Sequence, residues 1–191
     1  MFVRSLALGV AAAAVISSGA VAADLIIPTT PQPIYESAGF DWEGLYAGVR
    51  VGGQFTGTAN YGNQAVSTTS GVVGGAVGVN FIPVDPMLLG VEVTGDYLWN
   101  NVTTTSEFFA NLRVGAIVTD AAMVYAIGGV GVQSQAAGTV GVYQLGGGVE
   151  FAVNDAITVR GELVGQGDFT NVAGDQFFES AKATVGVFYH F

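Results

Sequence analysis

From Trp42 to the last residue, hydrophobic and polar side chains alternate in segments of roughly ten residues, the length at which a tilted β-strand crosses a bilayer. Eight such segments can be drawn: Trp42–Phe55, Gly71–Ile82, Met87–Trp99, Glu107–Val118, Met123–Gln133, Thr139–Phe151, Ala156–Gly167 and Ser180–Phe191. A period of two places successive residues on opposite faces of a strand. The pattern predicts an all-β chain, an eight-stranded antiparallel up-and-down transmembrane β-barrel. Connector lengths agree with it. Pro83–Pro86, Thr119–Ala122 and Ala152–Asp155 are tight and each carries one aspartate, whereas Thr56–Ser70 and Asp168–Glu179 are long, polar and glycine-containing. Short periplasmic turns and longer external loops are the asymmetry of outer-membrane barrels.

The charges obey the alternation. In the first segment Leu45, Ala47, Val49 and Val51 share one face and Tyr46, Gly48, Arg50 and Gly52 the other. Leu89, Val91 and Val93 likewise oppose Glu92, Thr94 and Asp96; Leu112, Val114 and Ala116 oppose Asn111 and Arg113. Leu145 and Val149 oppose Gly148 and Glu150, Val159 and Leu163 oppose Arg160 and Glu162, and Val185 and Val187 oppose Lys182 and Thr184. An Arg or Lys facing lipid near the midplane costs roughly 2 to 4 kcal/mol. A one-residue slip would expose every such group together, against a total stability of only about 5 to 15 kcal/mol. Register is therefore strongly specified.

An eight-stranded barrel has an interior just wide enough for side chains. The interior cations Arg50, Arg113, Arg160 and Lys182 and the interior acids Glu92, Asp96, Glu150 and Glu162 are thus expected to fill the lumen as an ion-pair network, a plug rather than an open pore. Glu150 and Arg160 are expected as diagonal neighbours across the turn at Asn154. The fifth segment, MVYAIGGV from Met123 to Val130, is apolar on both parities, which leaves its lipid-facing side open.

Aromatic residues fall near the segment ends: Phe81, Phe151, Tyr189 and Phe191 at the expected periplasmic rim, and Tyr97, Trp99 and Phe109 at the outer rim. They are expected to form the girdle found at membrane interfaces. The chain ends TVGVFYHF, in which Thr184, Gly186, Tyr189 and Phe191 resemble the C-terminal signal read by the outer-membrane assembly machinery.

Composition narrows the classes. Only 10% of the 191 residues are charged, whereas 50% are hydrophobic, against about 25% charged in an ordinary soluble domain. The formal charge is −10 with only five Lys plus Arg, so no basic face is available for nucleic acid. There is no cysteine, which excludes disulfides, thiolate metal sites and a cysteine nucleophile. No apolar run of about 18 residues follows Asp41, so helical spans are not expected. Residues 1–22 read as a signal peptide, with Arg4 in the n-region, Ser5–Ile16 as the apolar run and Ala20-Val21-Ala22 as the cleavage site. Residues 23–40, with Pro28, Pro31 and Pro33, read as a flexible periplasmic arm, and residues 41–191 as the barrel.

His190 is the one histidine, with no serine beside it for a triad and no second ligand for zinc. Glu92 and Asp96 share a face but lie about 13 Å apart along the strand, beyond the spacing of a glycosidase pair. The glycines form neither GxGxxG nor a P-loop. No catalytic residue, metal site or cofactor is expected.

Four blocks, WEGLYAGVRVG at Trp42–Gly52, LLGVEVTGDYLW at Leu88–Trp99, YAIGGVGV at Tyr125–Val132 and GGGVEFAVNDAITVRGELVGQGDF at Gly146–Phe169, resemble the small eight-stranded outer-membrane proteins of alphaproteobacteria. These are the group of the 25 and 31 kDa surface antigens and opacity-type proteins, with an OmpA-like transmembrane barrel. The resemblance implies a non-enzymatic antiparallel barrel with a periplasmic N-terminus. The chain departs from it in its very short Gln133–Gly138 loop, and no peptidoglycan-binding domain is expected with it. The leading expectation is a structural and interaction protein of the outer membrane, contributing to envelope integrity and presenting surface loops. A narrow porin-like channel, or an adhesin or surface antigen acting through the external loops, is the alternative. The partners expected are outer-membrane lipid and lipopolysaccharide, with the assembly machinery and periplasmic chaperones during biogenesis.

Overall fold

The computed structural model describes residues 39–61, 64–101, 104–135, 138–169 and 177–191. The expected signal peptide and nearly all of the expected arm lie outside them. Eight antiparallel strands follow one another and close into a barrel. They are β1 (Gly44–Tyr61), β2 (Gln64–Val84), β3 (Met87–Trp99), β4 (Thr104–Thr119), β5 (Ala122–Gln135), β6 (Gly138–Ala152), β7 (Ile157–Asp168) and β8 (Ser180–His190). The eight expected segments each became one strand.

Closure is made by β1 against β8, from Tyr46 opposite His190 to Thr56 opposite Ser180. Beyond the last rung the Phe191 amide donates to the Leu45 carbonyl at 3.0 Å. The tight turns lie at one end, called here the turn end. There the Asn154 side-chain oxygen accepts the amides of Ala156 at 3.0 Å and Ile157 at 2.9 Å, the local hydrogen bonding that makes Asn a turn residue.

Side chains alternate along every strand as the charges require. In β3 and β8 buried and exposed positions alternate through nearly the whole length. The outward positions carry Val49, Val77, Val93, Leu112, Val130, Leu145, Leu163 and Val185, a continuous apolar belt. A soluble barrel inverts this order, with its apolar side chains inside. The open question of β5 is resolved: Met123, Tyr125 and Ile127 point inward, and Val124 and Val130 outward.

Two expectations are corrected. Thr56–Ser70 is not a loop throughout. β1 continues to Tyr61 and β2 begins at Gln64, so the hairpin runs on as a two-stranded ribbon past the last rungs shared with β8 and β3. Thr-rich segments pair well as strands. Glu150 and Arg160 are directly opposite each other, not diagonal. At the end of the expected arm, Phe40 is tied to the barrel, its amide donating to the Asp120 carbonyl at 3.1 Å.

Candidate functional site: the filled lumen

The lumen is built in zones from the turn end outward. Trp42, Leu88 and Met123 are fully buried at the turn end, with Phe40, Ile82, Ile117 and Ala152 packed against them. The Phe40 ring meets Trp42 edge-on at 4.6 Å between centroids and His190 at 4.9 Å. This apolar floor explains why β5 shows no parity in the sequence: its inward residues near the turn end join a core instead of the charged zone.

Above the floor lies the first ion-pair group. Arg113 Nη2 is 2.9 Å from Glu150 Oε2, and Arg160 Nε is 2.9 Å from the same oxygen. Arg160 also reaches across the lumen from β7 to Glu92 on β3. Tyr46 donates its hydroxyl to Glu92 at 2.8 Å and accepts from Arg113 at 2.7 Å. His190 Nε2 lies 3.3 Å from Glu150 and 3.3 Å from the Thr158 hydroxyl. It is a lumen residue.

The second group lies nearer the opposite, hairpin end. Arg50 grips Asp96 through two nitrogens, at 2.8 and 2.6 Å, and reaches Glu162 at 3.0 Å. Lys182 Nζ sits 2.6 Å from Asp96 and 3.0 Å from Glu107. The groups are joined through Tyr125, whose hydroxyl donates to Glu162 at 2.8 Å while the Arg113 guanidinium stacks 3.9 Å from its ring centre. Removing charges from water is costly unless geometry and hydrogen bonds compensate; here each carboxylate meets at least one cation or tyrosine hydroxyl.

Two tyrosines reach over the neighbouring strand because a glycine stands opposite each. Tyr46 pairs with Gly78 and Tyr125 with Gly148. A β-carbon on either glycine would strike the tyrosine hydroxyl. The absent side chains are the space through which the rings reach the charges.

The amides lie alongside and above the second group. Gln54 donates to Gln166, Gln166 to Gln144 at 3.3 Å, and Gln144 to Asn111 at 2.6 Å.

Several solved structures share this architecture. Neisserial surface protein A has a TM-score of 0.52 at 11% identity, with 77% of this chain and 97% of that chain covered. For the N-terminal β-barrel domain of Pseudomonas aeruginosa OprF the TM-score is 0.50 at 15% identity, covering 76% of this chain and 97% of the other. The fold is that of the small eight-stranded outer-membrane β-barrels. The attachment invasion locus protein Ail of Yersinia pestis has a TM-score of 0.48 at 10% identity, over 78% of this chain and 99% of that one. No family model matches the sequence, and no curated protein matches it.

All eight residues expected in the lumen network are buried and paired in it. Glu107 is a ninth member that the sequence reading passed over, although it shares the parity of Asn111 and Arg113. Of the aromatic residues expected at the rims, Phe81, Tyr97, Trp99, Phe151, Tyr189 and Phe191 face outward. Phe109 does not. It is 2% exposed and points inward, 5.3 Å from the Lys182 ammonium, while its neighbour Phe108 faces outward. Parity overrides position along the strand: Phe109 is two residues from the inward Asn111. At the end of the chain Tyr189 and Phe191 stack edge-on at 5.0 Å, and Thr184 and Gly186 lie on the inward side opposite Gly52 and Arg50.

Proposed function

We propose that this chain is a structural and interaction protein of the bacterial outer membrane, with the tight turns in the periplasm and the β1–β2 ribbon outside. In this reading the protein is exported through the secretory pathway, released from residues 1–22, and inserted by the assembly machinery through Thr184, Gly186, Tyr189 and Phe191. It contributes to envelope integrity and presents surface segments, as the resemblance to the alphaproteobacterial 25 and 31 kDa antigens and opacity-type proteins implies.

The observation that carries the reading is the crossed ion-pair lumen, in which Arg160 spans from β7 to Glu92 on β3 above an apolar floor. Side chains occupy the path an ion would take. That favours a scaffold over a porin-like channel. The ribbon supports the surface-antigen variant of the same reading, because it carries backbone beyond the closed wall.

Two measurements test it. Purified protein refolded in detergent should migrate faster unheated than boiled, and in planar bilayers it should give no large, stable conductance. Steady open channels in the nanosiemens range would overturn the closed-lumen reading. To test surface presentation, residues 57–69 are replaced by a two-residue turn: the barrel should still assemble while antibodies to whole cells lose binding.

A further inference from the structure

At the hairpin end the lumen opens into a cavity of about 430 Å³, within the range of roughly 300 to 1,000 Å³ typical of small-ligand sites. Its lining includes Gln54, Ser70, Thr105, Gln133, Asp168 and Glu179. Three features of this lining point the same way.

The first is the orientation of Gln54. Lys182 holds Glu107 as a hydrogen-bond acceptor, so the Gln166 amide nitrogen, 3.1 Å from Glu107, must donate to it. That turns the Gln166 oxygen toward Gln54, which must in turn donate. The second Gln54 hydrogen goes to the Ser180 hydroxyl at 2.9 Å. Only the Gln54 carbonyl remains for the cavity, and Gln54 is 5% exposed. Donation along Gln54, Gln166, Gln144 and Asn111 polarises that carbonyl as an acceptor.

The second is Thr105, an 8% exposed residue that lines the same cavity and whose hydroxyl makes no hydrogen bond among the described residues, which leaves it open to the cavity.

The third is charge. The second ion-pair group, beneath the cavity, sets Arg50 and Lys182 against Asp96, Glu107 and Glu162, one carboxylate in excess. Asp168 and Glu179 line the cavity itself, and its described lining residues include no Lys, Arg or His. A concave site lined by one sign of charge concentrates the opposite ion.

The geometry points to a binding site in this mouth for a small organic cation bearing several ammonium N–H donors, a molecule of polyamine class. Its ammonium groups would donate to the Gln54 carbonyl, the Thr105 hydroxyl and the carboxylates of Asp168 and Glu179. The site does not depend on the membrane orientation proposed above, so a failure of that role and a failure of this site are separable.

Spermidine is the probe, titrated calorimetrically at low salt into the full-length protein refolded in uncharged detergent, with gel heat-modifiability as the check on folding. Saturable one-to-one binding is expected. Glu179→Gln, or independently Asp168→Asn, should weaken it by about tenfold, the scale of one charge-assisted hydrogen bond. Thr105→Val, which leaves the charge untouched, should weaken it by about threefold, as for a neutral hydrogen bond. Glucose should not bind. The site is overturned if folded protein shows no saturable binding at millimolar spermidine. It is equally overturned if glucose binds as well, or if the charge and threonine variants all bind like the parent, which would mean only diffuse attraction to an acidic surface.

Discussion

Arg160 and Glu150 stand directly opposite each other on β7 and β6, with Nε 2.9 Å from Oε2. The same carboxylate holds Arg113, so each partner left alone is a buried charge with reduced compensation. Glu150→Leu should therefore cost roughly 3 to 5 kcal/mol, the range for breaking a buried ion pair from one side. Glu150→Leu combined with Arg160→Met should cost clearly less than the sum. Equilibrium unfolding in urea from lipid vesicles, followed by the fluorescence of Trp42 and Trp99, measures both. Additive losses would mean the pair is not energetically coupled.

The tyrosine–glycine pairs give an independent test of lumen packing. Gly148→Ala places a methyl where the Tyr125 hydroxyl lies and should destabilise by roughly 1 to 3 kcal/mol, as overpacking does. The damage should shrink in a Tyr125→Ala background, where the ring is gone. A double-mutant cycle reads the coupling directly. The same substitution at Gly161 meets only a Val149 methyl at 3.9 Å and should change stability little.

The outward belt was legible from the sequence because it must be apolar at every second position whatever its neighbours do. The charges opposite it were legible for the same reason. What escaped has a physical cause in each case. Met123 and Tyr125 are inward, yet they join the apolar floor with Trp42 and Leu88, so polarity does not mark their face. Phe109 was assigned by its place near a strand end, although its parity with Asn111 put it inside. Glu107 was hidden at the first position of its expected segment, outside the alternation used to count interior acids. The ribbon beyond Thr56 was hidden because its sequence, TGTANYG followed by NQAVSTTS, carries no regular apolar alternation for periodicity to read. The partners within the network were beyond the sequence altogether, because Arg160 finds Glu92 only through the curvature that brings β7 opposite β3.

Leu112, 65% exposed in the middle of β4, tests whether the belt meets lipid. Leu112→Arg should lower refolding stability in bilayers by roughly 2 to 4 kcal/mol if it lies near the midplane. A soluble barrel would tolerate the same change within about 0.5 kcal/mol, as surface substitutions generally are. Measuring the variant in vesicles by reversible denaturant titration separates the two.

Phe191 faces outward at the turn end, its amide bonded to Leu45 and its ring on Tyr189. Deleting it removes one edge-on aromatic contact and one terminal backbone bond, but no lumen partner. The stability of barrels already formed should fall by no more than about 1 to 2 kcal/mol, the scale of an aromatic pair with one hydrogen bond. Assembly in cells should suffer much more, because the terminal aromatic is the proposed recognition element. Pulse–chase labelling of the outer-membrane fraction, set beside urea titration of the purified variant, compares the two effects. Normal arrival at the outer membrane by the truncated chain would refute the signal role; a stability loss large enough to explain poor arrival would reassign Phe191 to barrel closure.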